Sequence, residues 1–228
     1  MLKNIDARKS VIFILLLIFL DQFVKIFIKL NYPVTSYGEP PIIDLGFFKL
    51  LFIENKGMAM GARLNNLIPF LDDTTAKLIL TFIRIFACVG LGFWLKNIIR
   101  NKGSQLLIIC VCLIFAGAVG NLIDSVFYGL IFSSSFGQVA TLFPEVGYAS
   151  LFYGSVVDMI QFPLATWNWP DWMPIIGGKQ YTFFEYVFNF ADSYISTGII
   201  LLLIFNSLLL TMFHVQLRVF VFYYSLEL

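Results

Sequence analysis

Charge is scarce in this sequence: 13% of its 228 residues are Asp, Glu, Lys or Arg, about half the fraction usual in a soluble domain. The 15 basic and 14 acidic residues balance to a net charge of +1. No basic stripe remains to neutralise phosphates, so nucleic acid is excluded as a partner. Histidine occurs once, at His214, which rules out a multi-histidine metal centre and the HExxH helix by count. Any Ser-His-Asp catalysis would have to use that one residue. The three cysteines, Cys88, Cys110 and Cys112, lie inside apolar runs without a CxxC spacing, the pattern of buried side chains rather than of disulfides or metal ligands. No metal and no cofactor are expected, and carboxylates are the best-stocked group left for chemistry.

Apolar residues make up 59% of the chain, and they gather in four runs, at about 11–29, 76–95, 105–132 and 184–213. Each is near the roughly 20 residues that cross about 30 Å of hydrocarbon. The expectation is an all-α integral membrane protein with four transmembrane helices, residues 1–228 forming a single membrane-embedded domain. Lys3, Arg8 and Lys9 ahead of the first run imitate a secretory signal. No small-x-small cleavage site follows, and Asp21 and Lys25 interrupt the apolar continuation, so a retained span is expected.

Lys and Arg are dense in residues 1–10, in the short connection that holds Lys96, Arg100 and Lys102, and again at Arg218. Across the long connections, 31–75 and 133–183, only Lys49, Lys56, Arg63 and Lys179 appear. Both termini are therefore expected in the cytoplasm, with the long connections outside. Aromatics in the outer segments, including Trp167, Trp169, Trp172, Tyr148, Tyr153 and Tyr181, suit an interfacial position. Segment 46–63 carries strand-like runs broken by Asn55, Gly57 and Gly61, which points to a small outer sheet.

Charged residues at membrane depth are the functional signal. Asp124 is 22 residues from Lys102 and Asp192 is 22 from His214, which places both roughly 33 Å above the inner boundary. Asp21, counted from Lys9, falls roughly 18 Å up, with Lys25 one turn further on the same face. That spacing reads as a structural ion pair. Arg84 is also intramembrane by this count, without a partner that the sequence can name. Asp124 follows the small-residue run 116–121, which allows another backbone to approach closely. Asp192 follows Phe188, Asn189, Phe190 and Ala191, and Asp158 lies in an apolar stretch of the outer connection. Buried carboxylates near one another titrate apart, as an acid and base pair requires.

Five blocks occur in order: DQFVK (21–25), ENKGMAMG (54–61), AGAVGNLID (116–124), GSVVDMI (154–160) and FNFADS (188–193). Together they resemble the lipoprotein signal peptidase family, signal peptidase II, over most of the chain. The resemblance implies a four-helix bacterial inner-membrane aspartyl endopeptidase that needs no metal. It would act, as a monomer, on prolipoproteins embedded in membrane lipid, cutting on the amino side of a diacylglyceryl-modified cysteine near the outer face. By motif, Asp158 and Asp192 would be the catalytic pair. Asn55, Gly57, Gly61, Asn121, Asp124, Asn189 and Ala191 would line or brace the site, and Asp21 and Lys25 match the first-span motif. A small extracytoplasmic β-cradle is implied for segment 31–75.

The sequence departs from that family in having Ser125, where Arg is usual, and in two outer-surface insertions, at about 130–153 and 163–180. It lacks the GxGD motif of presenilin-type proteases. A proton- or ion-coupled transporter using the intramembrane charges is the rival reading, and the lack of inverted repeats argues against it.

Overall fold

A computed structural model describes residues 6–35, 40–57 and 71–205. Gly61, His214, Arg218 and the distal part of the fourth expected span lie outside the described residues.

Among the described residues, three helices are long and apolar enough to cross a membrane. Helix α1, Ala7–Asn31, starts at Asp6, whose carboxylate accepts from the Lys9 amide at 2.9 Å. Helix α2, Asp73–Arg100, is capped by Asp72, which accepts from the amides of Thr74 and Thr75. Helix α3 begins at Gln105 under a Ser104 cap. It continues past Ile123 through a π-helical stretch, Asp124–Tyr128, to Ile131. Such widened turns are rare in helices and occur often at functional sites. A fourth apolar helix, α4, runs over Phe190–Phe205.

The fourth span was expected from about 184 and begins instead at Phe190. The cause is local: Val187 and Phe188 pair with Gln161 and Ile160 as a strand, and Asn189 caps the helix. The first two helices also overrun their expected bounds, because Asp6 and Asp72 supply N-caps upstream of the apolar runs.

Outside the helices lies more sheet than the sequence suggested. Strands β1 (Ile43–Asp44), β2 (Lys49–Asn55), β3 (Val156–Gln161) and β6 (Val187–Phe188) form one sheet in the order β1-β2-β3-β6, with antiparallel neighbours. Strand β3, which carries Asp158, was read as an apolar piece of connection and is an inner strand of this sheet. The insertion near 163–180 includes a hairpin of β4 (Ala165–Asn168) and β5 (Gln180–Phe183), on which Trp167 sits 4.9 Å from Tyr181 and 5.8 Å from Trp169. The insertion near 130–153 folds back without regular elements. Its Ala149 amide donates to the Gly129 carbonyl at 3.0 Å.

Two apolar cores flank a polar layer. Ile14, Leu95, Ile98, Ile108, Val111 and Ala116 form one, while Ile28, Phe52, Tyr128, Phe132, Val157 and Met159 form the other. Along α1, Asp21 and Lys25 lie between Ile14 and Ile28; along α3, Asn121 and Asp124 lie between Ala116 and Tyr128. The small-residue run on α3 lets α4 and α1 approach closely at this level. A Cβ on Gly117 would meet the Ala191 carbonyl at 2.2 Å, and one on Gly120 would meet Asp21 Oδ2 at 2.6 Å. Outward faces are apolar and exposed, with Leu16, Phe19 and Phe23 on α1 more than half accessible, as lipid-facing surfaces are.

Candidate active site

The junction between β6 and α4 builds one half of the site. Asn189 is the N-cap of α4: its Oδ1 accepts from the Asp192 amide at 2.9 Å, and Asp192 Oδ2 accepts from the Asn189 amide at 3.3 Å. This reciprocal arrangement is a capping box with Asp at the third helical position. It places the Asp192 carboxylate at the positive end of a helix dipole, which complements negative charge. The FNFADS block is thus a helix start before it is anything else.

Strand β3 delivers the second carboxylate. Asp158 is 3% exposed. Its Oδ1 accepts from Asn189 Nδ2 at 2.7 Å and its Oδ2 from Asn55 Nδ2 at 3.0 Å. Asn55 ends β2, and its own Oδ1 accepts from the Gly57 amide at 2.8 Å, which fixes the side-chain amide for that contact. Burial, and after it the charge of Asp192, push the Asp158 carboxyl up from 3.8 to about 7, against the lowering effects of Asn55, Lys25 and Asn189. Asn121 links the halves: its Nδ2 donates to Asp192 Oδ1 at 2.8 Å, and its Oδ1 accepts from Asn189 Nδ2 at 3.1 Å.

Behind this layer the sequence expected an Asp21–Lys25 pair lower in the membrane and Asp124 level with Asp192. The structure joins all three. Lys25 Nζ lies 2.9 Å from Asp21 Oδ2 and 2.8 Å from Asp124 Oδ2, every partner at most 1% exposed, and donates to Asn121 Oδ1 at 2.9 Å. Asp21 Oδ1 accepts from the Ala191 amide at 2.9 Å, one residue from Asp192, so the depth gap implied by counting helical rise is not there. The two counts began from unequal levels: Lys9 lies inside α1, while Lys102 lies beyond the end of α2. Asp124 also accepts from the Val157 amide at 3.2 Å, tying α3 to the strand position next to Asp158.

Sequence reasoning passed over Gln22 and Lys29, which lie in or beside this network, and left Arg84 without a partner. Gln22 Nε2 donates to Asp124 Oδ1 at 2.9 Å, and its Oε1 accepts from the Tyr128 hydroxyl at 3.0 Å. Lys29, fully buried, pairs with Glu54, donates to Ser135 Oγ at 2.8 Å and sits over the rings of Phe52, Phe132 and Tyr148. The four-residue series Asp21, Lys25, Lys29 was the signal that could have found it. Arg84, left without a partner above, donates to Ser125 Oγ at 2.6 Å and to the Gly57 carbonyl at 2.9 Å. A guanidinium from α2 therefore reaches Ser125 on α3. Among the described residues no three His, Cys, Asp or Glu side chains converge as metal ligands would.

Long apolar helices with a cluster of carboxylates between them define the class: a membrane protein. A sequence model of the signal peptidase II family matches residues 13–209. The lipoprotein signal peptidase of Porphyromonas gingivalis is 42% identical over 193 residues, 84% of this chain and 79% of that protein. The one from Amoebophilus asiaticus is 32% identical over 191 residues, 83% and 74% of the two chains. Two bacterial membrane enzyme structures solved by the in meso method share the fold, each matched over 90% of this chain. One has a TM-score of 0.55 at 21% identity over 96% of its chain, the other 0.52 at 22% over 90%. The chain belongs to the signal peptidase II family and is a membrane protease.

Proposed function

We propose that this protein removes signal peptides from prolipoproteins on the amino side of a diacylglyceryl-modified cysteine, with Asp158 and Asp192 as an aspartic dyad. The observation that carries this reading is the contrast in partners. Asp21 and Asp124 are neutralised by Lys25, whereas Asp158 and Asp192 are held by asparagine amides and backbone. Carboxylates fixed by neutral donors stay free to exchange a proton.

Two close buried carboxylates share one proton, since ionising both is costly. Asp158, buried and shifted to about 7, keeps it; Asp192, at the start of α4, carries the charge. Asp192 removes a proton from water as the water oxygen bonds to the scissile carbonyl carbon, while Asp158 gives its proton to the carbonyl oxygen. On collapse, Asp158 takes that proton back, the C–N bond breaks, and Asp192 passes the water-derived proton to the departing amine. The dyad is restored and one water is consumed. Asn121 and Asn189 hold both carboxylates through the cycle.

The same reading sets the protein in the bacterial inner membrane as a monomer with four crossings, α4 supplying the fourth. Both termini would then face the cytoplasm, and the sheet would form a cradle at the outer face, where diacylglyceryl chains remain in lipid while the peptide bond meets water. Ion-coupled transport is disfavoured because Asp21, Lys25 and Asp124 close on one another as a saturated cluster. The test is incubation of pure protein with a diacylglyceryl-modified proprotein. A single cut before the modified cysteine, unaffected by chelators, is expected; absence of any cut by folded protein would overturn the reading.

A further inference from the structure

A cavity of about 240 Å³ lies beside the site, between the start of α2 and the 130–153 insertion. Lys77, one turn into α2, lines it together with Lys56 and Thr74, and Tyr148 and Tyr153 of the insertion form the opposite wall. Lys77 is 7% exposed, and its ammonium has no hydrogen-bond partner among the described residues. Burying an ammonium that no acceptor meets is costly, and an anion in the cavity would lower that cost.

Cations outnumber acids around it. Lys56, Lys77 and, seven residues along the same helix face, Arg84 are cationic. Asp73 lines the cavity too but is exposed, and Asp72 is engaged by the amides of Thr74 and Thr75. Asp124 attracts Lys77 only from the polar layer behind. The capped helix end therefore contributes little, and the case rests on the two lysines, with Thr74, Tyr148 and Tyr153 in the lining.

Lys77 lies 23 residues from Arg100 at the other end of α2, roughly 34 Å by helical rise, which exceeds the roughly 30 Å of hydrocarbon and reaches headgroup level. Below it the helix presents a lipid-facing strip: Ile79, Phe82, Ile83 and Phe86 are 36–72% exposed, and Phe82 stacks on Phe152 of the insertion at 5.7 Å.

We infer that this cavity is a phosphate site, filled by the headgroup phosphate of an outer-leaflet phospholipid whose acyl chains lie along that strip. It gives the 130–153 insertion a purpose, since two of its tyrosines complete the wall. Through Lys56 and Gly57 the cavity also adjoins Asn55, so its occupant would steady the end of β2 that holds Asp158. The inference rests on the proposed orientation and not on cleavage.

The test measures binding by purified full-length protein in an uncharged detergent, using phosphatidylglycerol, inorganic phosphate and diacylglycerol as probes. Melting temperature and native mass spectrometry are the readouts. Phosphatidylglycerol should bind wild type and raise its melting temperature, diacylglycerol should not, and Lys77→Met should weaken binding about tenfold or more, equivalent to about 1.4 kcal/mol. Lys77→Met orphans no partner, and Lys56→Gln at the exposed mouth provides a second variant should it fold poorly. Stabilisation by phosphatidylglycerol alone assigns the lipid headgroup, and an equal effect of inorganic phosphate assigns a free anion. Equal phosphatidylglycerol binding by wild type and both variants, or stabilisation by neither phosphate probe, overturns the site.

Discussion

Two pairs of aspartates meet at Asn121, which accepts from Lys25 and donates to Asp192. On one side Asp21 and Asp124 share a lysine within 2.9 Å; on the other, Asp158 and Asp192 are held by amides. Side-chain type is the same and burial comparable for all but Asp192. The presence of a cation separates them, and under the proposed function it divides the anchors, Asp21 and Asp124, from the reagents, Asp158 and Asp192. A paired carboxylate has its charge fixed and its lone pairs filled, whereas one held by neutral donors keeps a proton that can move.

The comparison can be broken first on the reagent side. Asp158→Asn and Asp192→Asn should each lower turnover of a diacylglyceryl-modified proprotein by about 10³-fold or more, with the double variant hardly worse, because groups acting as a unit are non-additive. The variants should insert and melt as folded proteins. Independent, additive losses would show that the two acids do not work together.

On the anchor side, Lys25→Met leaves Asp21 and Asp124 buried face to face. It should destabilise the fold by about 3–5 kcal/mol, the cost of orphaning a buried charge, read as a fall in melting temperature. Asp21→Asn should cost less and spare turnover per folded molecule. A folded, normally melting Asp21→Asn with dyad-like inactivity would move Asp21 to the reagent side.

Arg84 spans the two environments through Ser125 and Gly57. Arg84→Gln should cost about 1.5–3 kcal/mol for its charged hydrogen bonds, and Arg84→Lys should recover part of it. Loss of the Gly57 contact loosens the strand end that carries Asn55, so KM should rise more than kcat falls. An unchanged melting temperature and KM would remove Arg84 from the account.

The smallest expected effect is on stability against pH. Asp158 has its folded pKa raised from 3.8 to about 7, so its contribution to stability is complete below about 3.8 and is lost as pH rises through about 7. Wild type should melt lower at pH 8 than at pH 5, and Asp158→Asn should remove that part of the difference. The same slope in the variant would assign it to other groups.

Legibility in the sequence followed the range of each interaction. Helices α1 to α3 were readable because span length and charge interruptions are local, and the strand-like outer run was readable by its breaks. The five blocks drew attention to all four aspartates before any contact was known. Lys25 reaching Asp124, Arg84 reaching Ser125 and Asp158 lying on an inner strand were not readable, since each depends on which elements become neighbours. The start of α4 was misjudged because Val187 and Phe188 suit a span as well as a strand. Asn189 was singled out by motif, but its capping box with Asp192 was a local signal that went unread.

The central claim is that Asp158, buried and beside the charge of Asp192, holds a proton near neutrality. An infrared difference titration of wild type against Asp158→Asn, following the carboxylic acid C=O stretch, tests it most directly. The account predicts one protonated buried carboxyl that titrates near pH 7 and is absent from the variant. An Asp158 already ionised at pH 5, with no such band to lose, would contradict it.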